Sequence, residues 1–148
     1  MANHVRQQLR ERAATTLTSL TTTGANVFQG RVYPITQAQL PCLLVWTNSE
    51  ETAHETLKPP RTQVRRLQLV IEGRATAASN LEDTLDTIAK EVEAAMYGDR
   101  TLNSLARDSM LMTTEVELSA QGEKPHGVVR LTYEVFYVTA EGTADAAA

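Results

Sequence analysis

The sequence predicts an α+β fold: a single domain with a mostly antiparallel, mixed sheet of about five strands and two main helices packed on one side. Three observations predict it. Two stretches repeat apolar residues at helical spacing, and several others alternate apolar with polar residues at strand spacing. The last two of these strands are separated only by a turn-like segment, the pattern of a hairpin. With 148 residues, 42% hydrophobic and 22% charged, the chain is long enough to bury one real core.

The first helix opens with Asn3 as a candidate cap and is marked by Val5, Leu9, Ala13, Leu17 and Leu20, which share one face. Arg6, Arg10, Glu11 and Arg12 lie on or near the opposite side, and Thr21, Thr22, Thr23 and Gly24 end it. Residues 27–33 read as a first strand closed by Pro34, and residues 40–46 as a second, almost continuously apolar and so buried on both faces or doubly partnered. Cys42 in that run reads as a small buried hydrophobe, because a reactive thiol needs an electropositive, accessible setting. Trp46 at its end reads as a core lid, with interface anchor as the less common alternative.

Residues 47–62 form a polar arm, almost without apolar side chains, stiffened at its exit by Pro59 and Pro60. Structureless loops of this length are uncommon in compact domains, so the arm is expected to be functional and to order on assembly. Residues 63–73 are the long strand, with Leu67, Leu69 and Ile71 on one face and Arg66, Gln68, Val70 and Glu72 on the other; Arg65 and Arg66 therefore point apart. Ser79 and Glu82 make a capping-box pattern for the second helix, signed by Leu81, Leu85, Ile88, Ala89, Val92, Ala95 and Met96 and ending near Gly98. Its outer face is acidic: Glu82, Asp83, Asp86, Glu91, Glu93.

Residues 102–107 read as a short helical turn. Met110, Met112, Val116 and Leu118 then alternate with Leu111, Thr113, Glu115 and Glu117 as a half-buried strand. Residues 121–127 are a turn, and Val129, Leu131, Tyr133, Val135 and Tyr137 sign the last strand. The domain is expected to span residues 1–140, leaving 141–148, small and polar, as a disordered tail.

No chemistry assembles along this order. His4, His54 and His126 share no ligand spacing with each other or with Cys42, so no metal and no cofactor is expected. The seven glycines make no phosphate loop. His126 has Ser119 and Glu123 nearby, which in a turn is weak ground for a general base. A net charge of −4 and arginines without interleaved aromatics do not suit direct sequence-specific nucleic acid binding. No apolar run approaches a membrane span and Met1 to Arg6 holds no signal-like segment, so no membrane association and synthesis in a cytoplasm are expected. The residues read as a non-enzyme that works through its surfaces.

The segments RVYPITQAQLPCLLVWTNSEE, RRLQLVIEGRA, LEDTLDTIAKEVEAAM and RLTYEVFYVTAEG, in that order, resemble the tail terminator (minor tail protein) family of long-tailed bacteriophages over roughly residues 3 to 141. The resemblance rests on texture rather than on a diagnostic motif, and small neck and head-completion proteins share the build. It implies a ring, typically a homo-hexamer, that caps the tail tube, stops its polymerisation and offers its other face to a head-completion or connector protein. It implies the major tail tube protein as a further partner, a place at the head-proximal end of the virion tail, and no catalytic residues.

On this reading the arm and the 121–127 turn carry subunit or tube contacts through Trp46, Glu50, Glu51, His54, Lys58, Arg61, Lys124 and His126. The basic first helix, with Arg10 and Arg12, and the acidic second, with Asp86 and Glu93, pair between subunits, setting register more than affinity. The alternatives are a head-completion or neck protein, a cytosolic adaptor, and a small hydrolase or ligand-binding domain using His54 or His126.

Overall fold

The computed structural model describes residues 2–30, 35–77, 79–119 and 125–148, apart from the Gln37 side chain. Helix α1 spans Val5–Leu17, strand β1 Val27–Gln29, β2 Cys42–His54, β3 Thr62–Thr76, helix α2 Leu81–Gly98, β4 Asp108–Ser119 and β5 His126–Ala140. The five strands form one sheet in the order β1-β2-β3-β5-β4, with β1 parallel to β2 and every other pairing antiparallel. Both helices lie on the same face: α1 packs on β1, β2 and α2, and α2 packs on β3 and β5. This is the α+β architecture expected.

The main core lies between helices and sheet. Leu67, Leu69 and Ile71 of β3 and Val129, Leu131, Val135 and Tyr137 of β5 meet Leu81, Leu85, Ile88, Val92 and Met96 of α2 and Val5, Leu9 and Leu17 of α1, all essentially removed from water. The alternating positions of β3 and β5 thus fall inward as their period requires. A smaller cluster lies on the far face of the sheet, where Cys42, Leu44, Trp46 and Val70 pack with Phe28, Ile35 and Leu40. Gly73 is required by close approach, since a Cβ there would stand 2.7 Å from Ile88 Cγ2 and 3.1 Å from Val129 Cγ1.

Several expectations need correction. The polar arm is not a free loop: residues 47–54 continue β2 and pair with β3 out to His54 opposite Gln63, leaving only residues 55–61 as a tip. Backbone pairing with an already ordered strand satisfies the arm's polar groups without any core, so low hydrophobicity did not mean disorder. The 141–148 tail is docked: Val5 N donates to Ala144 O at 2.8 Å, Ala148 N to Val138 O at 2.8 Å, and Ala147 packs against the core. Helix α1 is capped by His4, whose Nδ1 accepts from Arg6 N at 2.9 Å, and not by Asn3, and it ends at Leu17 before Leu20.

The N-cap of α2 is Asn80, in the left-handed region and without a side-chain cap bond, so the Ser79–Glu82 box is one residue out of register. Residues 102–107 form no helix; Leu102, Asn103 and Ser104 have positive φ there. The first strand is described only over Val27–Gln29, and residues 31–34 and 120–124 lie outside the described part of the molecule.

The largest correction concerns β4, expected to be half-buried. Met110, Met112, Val116 and Leu118 are 43–55% exposed. Helix α2 sits over β3 and β5, so the edge strand is covered on its helix-side face only as far as Leu111, which packs against the core, and is exposed from Met112 onward. A register shift between Leu111 and Thr113 also divides the apolar series: Met110 pairs with Glu134 on the far face, whereas Val116 and Leu118 pair with Val129 and Gly127 on the helix side. One extra residue exchanges the two faces of a strand.

Candidate functional site

The features this fold offers for contact are surfaces and the elements that hold them. The first is the β2–β3 hairpin. It leaves the core at a register shift between Thr47, opposite Leu69, and Glu50, opposite Leu67. The shift turns Glu50 to the helix side, where strict alternation from Thr47 would have put Glu51.

There Glu50 is nearly buried, accepting from Arg6 Nη1 at 2.8 Å, from Arg65 Nη1 at 3.2 Å and from the Tyr137 hydroxyl. Arg65 also donates through Nε to Thr139 at 3.0 Å and through Nη2 to Gln63 at 2.9 Å, and its guanidinium lies 5.8 Å from the Tyr137 ring centre. Burial, then the bond to Glu50, push the Tyr137 phenol well above its usual range. The cluster ties α1, β2, β3 and β5 together at the root of the hairpin.

His4 borders this cluster, its Nε2 3.5 Å from Arg65 Nη1. Burial, followed by the Arg6 and Arg65 charges, lowers its pKa from 6.5, while Glu50 opposes them. The unfolded chain therefore takes up the His4 proton first: the contribution is complete above pH 6.5 and is lost as the pH falls toward the lower folded value. Urea midpoints at pH 7.5 and 5.5 are expected to drop less for His4→Asn, which keeps an N-cap acceptor, than for the parent; equal drops would show that His4 is not the sensor.

The hairpin tip, residues 55–61, is the second feature. Leu57 at 96% exposure is the most exposed large apolar side chain described, and Lys58 beside it has no partner among the described residues. The third is the uncovered edge of β4. At its far end Leu118 joins Leu81, Ala77 and Pro125 around a pocket of 540 Å³, rimmed by Glu82 and Asp83. On the far face of the sheet, beside the Trp46 cluster, charges pair within the subunit: Glu72, almost buried, is held by Arg74 at 2.7 Å and Arg130 at 2.8 Å, and Arg130 reaches Glu115 at 3.4 Å.

The expected contact residues divide as follows. Glu51 is exposed opposite Arg66, Lys58 is exposed at the tip, and His126 is exposed at the start of β5. Asp86 and Glu93 are exposed on α2. His54 is half-exposed, 3.3 Å from Gln63 Nε2 and 4.0 Å from Glu141. Arg10 donates to Gln29 at 3.3 Å.

Four residues are spoken for within the subunit. Trp46 is the lid of the far-face cluster, Glu50 is the centre of the buried network, and Arg61 pairs with Glu141 at 3.1 Å. Arg12 pairs with Asp99 at 2.9 Å, so it is not a free charge for a neighbour. Burial alone would raise the Asp99 carboxyl, but hydrogen bonds from Thr16 and Arg12 outweigh it and hold it below the usual carboxylate range. Lys124 lies outside the described residues. The sequence reading missed the Glu50 network, whose members are far apart in the chain, and also Leu57, whose signal was a lone leucine in a polar arm.

No family model matches the chain, and no curated protein matches it. Among solved structures, a chain of the "Virion of native gene transfer agent (GTA) particle" is similar, with 21% identity over 94% of this chain and 92% of that chain and a TM-score of 0.49. Among the described residues, no group of three or more His, Cys, Asp or Glu side chains is placed to hold a metal ion, and no helix is long and apolar enough to cross a membrane.

Proposed function

We propose that this chain is a structural subunit of a phage-type virion. It assembles as a ring, typically of six copies, that closes the head-proximal end of a tail tube and presents its other face to the head connector. The observation that carries the reading is that one subunit displays two unlike surfaces at different places: an exposed hairpin tip with Leu57 and Lys58, and an uncovered β4 edge with Met112, Val116 and Leu118. Unlike surfaces that fit each other give head-to-tail contacts, and such contacts generate rings when the rotation closes.

The sequence texture over residues 3 to 141 supplies the context of a tail terminator. In this role the subunit binds copies of itself, a tail tube protein and a head-completion or connector protein, and it carries out no catalysis.

Light scattering on the full chain across a concentration series tests the reading. A species of about six copies of the 16.3 kDa chain is expected, with ring-shaped particles by electron microscopy. A monomer or a two-fold dimer at every concentration overturns it. Removing all of residues 49–58 would delete Glu50 and with it the root of the hairpin, so the informative deletion is smaller. Replacing residues 57–60 by an Asn-Gly turn is expected to leave the melting curve unchanged and abolish the large species.

A further inference from the structure

We infer that the hairpin tip of one copy seats in the pocket between β4 and the start of α2 of a second copy, with Leu57 against Leu118 and Leu81 and with Lys58 facing Glu82 and Asp83. The inference rests on the ring reading and names the contact that would build it.

The two halves fit in chemistry. The tip offers an apolar side chain followed by a cation, and the pocket offers apolar walls beside two carboxylates. Leu57 is 96% exposed and Leu118 is 51% exposed, so each leaves apolar surface in water that the contact would remove. At about 25 cal/mol per Å² such burial favours association, and the charge match sets which end goes where.

The tip cannot reach its own pocket. It adjoins Thr62, the first residue of β3, whereas the pocket lies beside Ala77 and Pro125, next to the other end of the same strand, where Thr76 pairs with His126. Fourteen residues of strand at roughly 3.3 Å each separate those ends. Donor and acceptor therefore sit at opposite ends of the sheet, and a tip-to-pocket contact is heterologous.

Direct pairing of the two open edges is the poorer arrangement. The outer half of β2 carries the exposed Glu51, and β4 carries the exposed Glu115 and Glu117, so the edges meet with like charge.

Cross-linking decides it. Cys42 is fully buried and burial pushes its thiol up to about 11, so added surface cysteines react alone. A short bismaleimide is applied to Leu57→Cys, to Leu118→Cys, to a mixture of the two, and to the double variant. The mixture is expected to give a cross-linked dimer that neither single variant gives, and the double variant a ladder. Leu57→Ser, at a fully exposed site, is expected to keep the melting curve and weaken association roughly tenfold or more.

A closed oligomer that yields no 57–118 cross-link overturns this contact while leaving the ring reading in place. A cross-link in Leu57→Cys alone, joining tip to tip, also overturns the contact. A monomer in every sample overturns both.

Discussion

Replacing Glu50 by alanine is expected to destabilise the fold by about 3 kcal/mol and to lower the melting temperature by roughly 6–12 °C. The carboxylate is 9% exposed and serves Arg6, Arg65 and Tyr137 together. Without it, Arg65 at 13% exposure keeps its charge with only neutral partners, and leaving a buried charge uncompensated costs more than the pair itself contributes. The lower end of the usual range applies because Arg6 is 39% exposed and water takes over part of its pairing.

Glu51→Ala, one residue on and exposed, is expected to stay within about 0.5 kcal/mol of the parent. Urea and thermal melts of the two variants check the contrast. Equal effects would mean that Glu50 is not held at the root of the hairpin.

Gly73→Ala is expected to cost about 1–3 kcal/mol although alanine suits a strand better than glycine. The added methyl would enter the space of Ile88 Cγ2 at 2.7 Å, and that atom is a branch at the root of its side chain rather than a flexible end. Ile88→Ala alone is expected to cost about 2–5 kcal/mol, because the residue is 1% exposed and leaves a cavity between α2 and β3. The double variant is the sharper measurement: with Cγ2 gone, the Gly73 methyl fills part of that cavity, so the two changes together should cost less than their sum by 1 kcal/mol or more. Strict additivity in urea melts would show that the contact is not what makes glycine necessary.

The same two regions show how far the residues could be read in advance. The inner faces of β3 and β5 and the buried stripe of α2 followed from periodicity, because these elements are regular and covered from end to end. Leu67, Leu69, Ile71, Leu131, Val135 and Tyr137 all lie in the core as alternation required. Arg65 and Arg66 do point apart, the first toward Tyr137 and the second toward Phe136.

Alternation misled in β4, where a bulge between Leu111 and Thr113 divides the apolar series between two faces; a second bulge, between Thr47 and Glu50, turns Glu50 inward in a segment whose residues showed no strand pattern. The polar arm misled for another reason. Its ordering comes from backbone pairing with β3, a contribution that side-chain hydrophobicity does not report.

The sequence by itself determined the order of elements, the two-helix α+β class and the inward residues of the central strands, because a period of 2 or 3.6 sorts side chains locally. Only the tertiary structure decided which strand lacks a cover, where Glu50 points, and that Leu57 stands in water at the end of a paired hairpin. Those outcomes depend on which elements lie side by side and on single-residue register shifts. Both are set by contacts between segments distant in the chain, and a local pattern carries no record of them.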